Sequence, residues 1–145
     1  MKLRWAALAV VLAFGALMPS RATGQAGPPP SPPRGKGSLG QNYPNPFNPD
    51  TWIPFEVGSA ECYGSGERHR VTMRIYSLLA QSVAVPQIVR GGQRLENLEL
   101  ECGSYTAYWN GKYEGSGRAA ASGVYIYRIE VDGVPAGTKR LFIGK

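Results

Sequence analysis

The sequence predicts an all-β fold: an antiparallel β-sandwich of about seven strands, preceded by a signal-peptide helix and a Pro/Gly-rich linker. Three observations lead there. Apolar and polar residues alternate with period two in segment after segment from Thr51 to the C-terminus. Glycine, proline and asparagine punctuate those segments at short intervals. No segment carries the three-to-four-spaced apolar stripe of a surface helix. An antiparallel barrel would satisfy the same pattern and is the architectural alternative.

In chain order, Lys2 and Arg4 precede an apolar run over residues 5–18, shorter than the roughly 20 residues that cross a bilayer. Gly24 and Ala26 then offer cleavage sites. Residues 1–26 therefore read as a secretory signal, cut after Ala26 or after Gly24, with a retained N-terminal anchor as the alternative. No later run is long and apolar enough to cross a bilayer, so no transmembrane span is expected after cleavage. Residues 27–37, GPPPSPPRGKG, have nothing to bury and read as an extended linker. Residues 38–145 are left for one domain with one core.

The formal charge is +6, from 16 bases and 10 acids. Residues 1–26 hold Lys2, Arg4 and Arg21 and no acid, so 13 bases face 10 acids after cleavage, a charge of +3. Those bases are scattered, not gathered in a patch, which argues against nucleic-acid binding.

The domain opens on residues 41–50, QNYPNPFNPD. Pro44, Pro46 and Pro49 remove donors and push their predecessors out of helical geometry. Asn42, Asn45 and Asn48 can hold tight bends through their side chains. Tyr43 and Phe47 are then free to bury their rings. The segment reads as a stiff N-terminal latch.

In the next segment Ile53, Phe55 and Val57 share one face, and Pro54 on the opposite parity marks an edge strand. Val71, Met73 and Ile75 point inward, with Arg70, Thr72 and Arg74 toward water. Residues 82–85 form a short strand that Pro86 ends, and Gly91-Gly92 begins a turn. Leu98, Leu100 and Cys102 alternate with Asn97, Glu99 and Glu101, which puts Cys102 on a buried face. Tyr105, Ala107 and Trp109 continue the pattern. Asn110-Gly111 signals a hairpin, because both residues tolerate positive φ. A loose loop with Gly115 and Gly117 leads to Gly123. The longest strand follows, with Tyr125, Tyr127, Ile129 and Val131 inward and Arg128 and Glu130 outward. Asp132-Gly133 turns the chain into a last strand over residues 139–143, with Leu141 and Ile143 on one side and Phe142 on the other.

Cys62 and Cys102 are the two cysteines. In an exported chain an even count suggests a disulfide. Its long loop would contribute about 4 kcal/mol in the chain-entropy description. Two buried thiols or a metal site are the alternatives, though two cysteines without a nearby histidine pair are few for zinc.

Catalytic groups are sparse. His69 is the sole histidine; it falls in a charged stretch and reads as a solvated loop residue. Glu96, Glu99 and Glu101 could form a weak calcium site or a sugar-hydrolysing pair, but a solvated strand face explains them better. The expectation is a chain that is not an enzyme and has no cofactor and no metal. Trp52, Tyr76 and Tyr108 fall on outward parity and could present rings to a sugar or a peptide.

The stretch QNYPNPFNPDTWIPFEV resembles the start of the C-terminal Ig-like domain of many secreted bacterial proteins: the type IX secretion type A sorting domain, or the related flagellar hook-capping (FlgD-like) Ig domain. VTMRIYSLLAQSV, GSYTAYWNGKYEGSGRAAASGVYIYRIE and TKRLFIGK resemble later segments of that family in the same order. The match covers residues 38–145. It departs where the family's Trp-Asp-Gly turn reads Trp109-Asn110-Gly111, and where only a linker precedes the domain in place of a cargo. The resemblance implies an Ig-like sandwich, export through the periplasm, and delivery to the outer-membrane surface or the medium. It implies an outer-membrane secretion machine as partner, which would read the last strand, Lys139, Arg140, Leu141, Phe142, Ile143, Gly144 and Lys145, by strand addition. The alternative implied partner, for a structural or adhesive surface module, is another surface protein or a glycan.

Overall fold

This computed structural model describes Gly27, Ser31 and residues 34–145. The expected signal peptide and most of the expected linker lie outside the described residues. Among the described residues there is no α-helix, and no helix long and apolar enough to cross a membrane.

Nine strands build two antiparallel sheets packed face to face. The first holds β1 (Gly37–Leu39), β2 (Thr51–Val57), β7 (Gly103–Trp109) and β5 (Gln87–Ile88), in the order β1-β2-β7-β5. The second runs β4 (Ser82–Ala84), β3 (Arg68–Tyr76), β8 (Gly123–Val131) and β9 (Val134–Ile143), and β6 (Leu98–Glu101) also pairs with β3. Two open sheets, not a closed cylinder, settle the choice between sandwich and barrel.

Alternation places the core between the sheets. Ile53, Phe55 and Val57 from β2 are buried, as are Val71, Met73 and Ile75 from β3, and Tyr127, Ile129 and Val131 from β8. Slipping either long strand by one residue would turn these side chains into water, so the burial pattern pins the register. β8 and β9 meet at Asp132-Gly133, where both residues have positive φ (53° and 77°), as the tightest hairpin turn requires.

Three expectations need correcting. β2 is not an edge strand: it lies between β1 and β7. Pro54 is tolerated because its carbonyl accepts from Gly40 N at 2.8 Å. A residue's N–H and C=O point to the same neighbour, so the missing donor falls just beyond three-residue β1 and spares the β2–β7 ladder. Asn110-Gly111 is not a hairpin turn either. It leads from β7 in one sheet toward β8 in the other, through a loop. Gly111 has φ +70°, and a Cβ there would collide with the Pro49 carbonyl; the glycine lets this loop pack against the proline-rich segment. Finally, Tyr43 does not bury its ring, which is 52 % exposed.

Phe47 does go inside. It is 2 % exposed, with its ring edge-on to Trp109 at 5.5 Å, and Trp109 in turn meets Tyr125 at 6.0 Å. Phe47→Ala should therefore destabilise the domain by about 3–5 kcal/mol, through lost transfer energy and a cavity. Leu79→Ala, at an 82 % exposed position, should stay within about 0.5 kcal/mol. Urea denaturation of the two variants checks the contrast.

Candidate functional site

Three surface features bring chemistry-bearing residues together. The first is the latch. Asn42 is 2 % exposed. Its amide donates to Thr51 Oγ1 (3.0 Å) and to the Pro44 carbonyl (3.2 Å). Its backbone N–H donates to the Tyr127 hydroxyl (3.0 Å), which itself donates to the Gly40 carbonyl (2.8 Å). The Tyr43–Pro44, Asn45–Pro46 and Asn48–Pro49 peptides are cis. Burial holds the Tyr127 phenol up at about 12.

Beyond Asn42 the latch runs along the outer edge of β9. Phe47 N donates to Phe142 O (2.9 Å), Gly144 N to Phe47 O (3.0 Å), and Phe142 N to Asn45 Oδ1 (3.0 Å). Gln41 Nε2 reaches the Arg140 carbonyl (3.1 Å), and Gly35 N the Pro135 carbonyl (2.9 Å). These bonds bear on the expectation of strand addition at residues 139–145. Part of the edge that a partner strand would need, from the Arg140 carbonyl to the Gly144 amide, is already paired by the chain's own N-terminal segment. Leu141 and Ile143 are buried, Lys139 is half-buried, and Arg140, Phe142, Gly144 and Lys145 are exposed. Over that paired stretch this end offers a side-chain surface, not a free backbone edge.

The second feature is a row of rings on the outer face of the first sheet. Trp52 pairs with Tyr108 across β2 and β7, and with Tyr43 through an isolated bridge. The Tyr43 and Trp52 rings stack at 6.2 Å, and Trp52 meets Tyr108 at 5.7 Å. Tyr108 Oη donates to Asp50 Oδ2 (3.0 Å); burial and this bond raise its phenol. Tyr76 does not join the row. It sits on the other sheet with the Arg128 guanidinium 5.3 Å over its ring. Tyr43 takes its place, which parity along one strand could not indicate because the latch is not a strand.

The third lies at the corner where the chain crosses from β6 to β7. Cys102 is that corner, bonded to Cys62 with the Cα atoms 5.8 Å apart. Cys62 ends a short 3₁₀ turn, Ala60–Cys62, that follows β2. His69 corrects a second expectation: it is not a solvated loop residue but a member of β3 with 4 % exposure. Val71, Met73 and Ile75 carry the inward parity, and the same parity reaches His69. Its Nδ1 lies 2.7 Å from Asp132 Oδ2 and its Nε2 3.1 Å from Glu67 Oε1, the latter without hydrogen-bond alignment. Asp132 also accepts from Arg70 N at 2.9 Å. The bond to His69, then that to Arg70, holds its carboxyl below the usual carboxylate range.

Arginines lie beside the acidic run. Glu99 and Glu101 face Arg70 and Arg68 in register, and Glu96 contacts both Arg74 (2.5 Å) and Arg94 (3.1 Å). Glu101 also lies 3.9 Å from the Arg68 guanidinium, whereas Glu99 faces Arg70 in register without an ion pair.

No family model matches the chain, and no curated protein matches it. A solved structure similar to it is the Pseudomonas fluorescens alkylpurine DNA glycosylase AlkC bound to DNA containing an abasic site analog. The TM-score is 0.39 and the identity 9 %, over 77 % of this chain and 31 % of that one. The chain thus spans about a third of the length of the protein it matches. Against the expectation of a chain that is not an enzyme, the matching solved chain is an enzyme's. At that score and identity the likeness itself carries no argument about chemistry here.

Tyr127 joins latch to sheet, and its raised pKa fixes a pH dependence. A phenol near 10 unfolded and about 12 folded binds more protons when folded, so its stabilisation is complete below pH 10 and is lost as pH climbs through about 12. Tyr127→Phe should flatten that alkaline slope and cost about 1 kcal/mol at neutral pH through the lost hydroxyl bonds. Denaturation midpoints measured from pH 7 to 12 test both.

Proposed function

We propose that this chain is an exported Ig-like recognition module, similar to the C-terminal domains sorted by type IX secretion. An outer-membrane secretion machine reads the side-chain surface formed jointly by the latch and the last strand. One observation carries the reading. The two outermost segments of the family resemblance, residues 41–50 and 138–145, are bonded to each other from Asn45 and Phe47 to Phe142 and Gly144. A surface assembled from segments this far apart in sequence exists only in the folded domain. It therefore suits a machine that accepts cargo after folding. Arg140, Phe142 and Lys145 are exposed side chains on its last-strand half, a cationic and aromatic set suited to an acidic partner with an apolar contact. Export by a signal peptide and residence at the outer-membrane surface or in the medium follow from this reading.

A second reading, a structural or adhesive surface module of the hook-capping type, is favoured by the Tyr43–Trp52–Tyr108 row. Stacked, half-exposed rings on a rigid sheet are a ready platform for a glycan or a protein.

Two experiments separate these readings. In a host with the secretion machine, a reporter fused to the domain should lose surface delivery at least ten-fold when Arg140, Phe142 and Lys145 are all changed to Ser. Deletion of residues 141–145 should abolish delivery. Undiminished delivery of both variants would sink the sorting reading. For the adhesive reading, Trp52→Ala with Tyr108→Ala should weaken glycan or protein capture about ten- to hundred-fold, as two hot-spot rings at 1–2 kcal/mol each imply. Titration calorimetry against the captured partner measures it.

A further inference from the structure

The corner described above holds more ligand chemistry than a disulfide uses. One ligand atom each from Cys62, Glu67, His69 and Cys102 lies within 4.8 Å of all the others. Two cysteines, a histidine and a carboxylate are a donor set of the kind that takes zinc in four-coordinate geometry.

Three details make the cluster look built for an ion. First, the His69 Nδ1 bond to Asp132 fixes the tautomer in which Nε2 carries the lone pair. A carboxylate–histidine pair of this kind is the usual outer support of a metal-bound imidazole. Second, that lone pair is 4 % exposed with its residue and has no hydrogen-bond partner; it faces the Glu67 carboxylate at 3.1 Å. That spacing is one a metal ion bound to both atoms would bridge; the same Glu67 oxygen is also met by the exposed Lys36 ammonium at 3.4 Å. Third, Gly58 leaves room beside both sulfurs, where a Cβ would collide with each. Its φ of +77° holds the chain in the form that clears this space. Ser59 N also donates to Cys62 Sγ at 3.3 Å, which would stabilise a thiolate. Glu67 is exposed at the rim, on the route an ion would take.

We propose that Cys62, Cys102, His69 and Glu67 form a redox-gated zinc site: a disulfide when oxidised, and a four-ligand Zn²⁺ centre once the disulfide is reduced. Reduction by a dithiol consumes two electrons and two protons. The S–S bond breaks, two thiols form, and the dithiol becomes its own disulfide. Zn²⁺ then displaces both thiol protons and is held by two thiolates, the neutral Nε2 and the Glu67 carboxylate. The sulfurs must move apart to about 3.8 Å, the spacing set by two Zn–S bonds of about 2.3 Å at a tetrahedral angle. The space beside Gly58 receives that motion. The same corner is thus cross-linked in both redox states, by a covalent bond or by a metal.

The purified chain, reduced with a phosphine that is then removed without air, is titrated with Co²⁺ and afterwards with Zn²⁺. The expected result is one Co²⁺ per chain with thiolate-to-metal absorption in the near ultraviolet and tetrahedral bands in the visible. Zn²⁺ should displace the Co²⁺ and raise the Tm of the reduced chain, and the oxidised chain should bind neither ion. Asp132→Asn should weaken Zn²⁺ about 10- to 100-fold while the disulfide still forms under air. Gly58→Ala should lower metal occupancy by crowding the sulfurs. His69→Gln should abolish the tetrahedral spectrum. A reduced chain that binds no Co²⁺, whether folded or unfolded, overturns the proposal. So does metal bound with equal affinity by the His69→Gln variant, which would be a bare dithiol chelate. Circular dichroism of each variant in its oxidised form separates loss of ligand from loss of fold.

Discussion

Closure of one end of the sandwich by the proline-rich latch is the constraint on which the other features of that end depend. Phe47 fills the gap between the sheets beside Trp109, while its backbone pairs with both sides of Ile143. Those two roles use one residue at right angles: the side chain goes inward and the peptide groups go sideways to β9. Proline on either side supplies the stiffness, because each ring locks φ and limits the residue before it. Asn42 adds a buried amide whose bonds are all internal, to Thr51, Pro44 and Gln41. A buried polar group so completely paired costs little, and it specifies a single path for the chain.

The latch also solves an edge problem. β9 is a ten-residue terminal strand with a long outer side, the kind of edge that invites pairing with another chain. Gln41, Asn45 and Phe47 occupy the Arg140 carbonyl and the carbonyl and amide of Phe142. With that stretch of backbone occupied, the proposed function is assigned to the side chains of Arg140, Phe142 and Lys145. The opposite corner is secured by different means. There the chain passes from one sheet to the other at Cys102, and the disulfide, the Glu67 carbonyl and the His69–Asp132 pair hold the crossing.

Much of this was readable in one dimension. Tyr125, Tyr127, Ile129 and Val131 recur at every second position of β8 because one face of that strand is buried, and Asp132-Gly133 reads as a tight turn because both residues accept positive φ. The even cysteine count suggested the Cys62–Cys102 pairing, and the bond is present. Asn110-Gly111 misled, since a dipeptide that tolerates positive φ does not say whether the next strand returns to the same sheet. Pro54 misled because a missing donor matters only on the side where a neighbour lies, and β1 is too short to reach it. Tyr43 misled because latch residues obey no strand parity.

His69 marks the boundary between the two kinds of knowledge. Its neighbours Glu67, Arg68 and Arg70 made the stretch look solvated, although the parity of β3 already pointed the ring inward. By itself the sequence determined the all-β class, the inward face of each long strand and the tight turn after β8, because these rest on local periodicity and on the φ each residue tolerates. Only the tertiary structure decided that the latch covers the edge of β9, that the outer rings form one row, and that a histidine, two carboxylates and two sulfurs share a corner. Those are meetings between segments tens of residues apart, and their partners are chosen by how the two sheets stack, which no local pattern records.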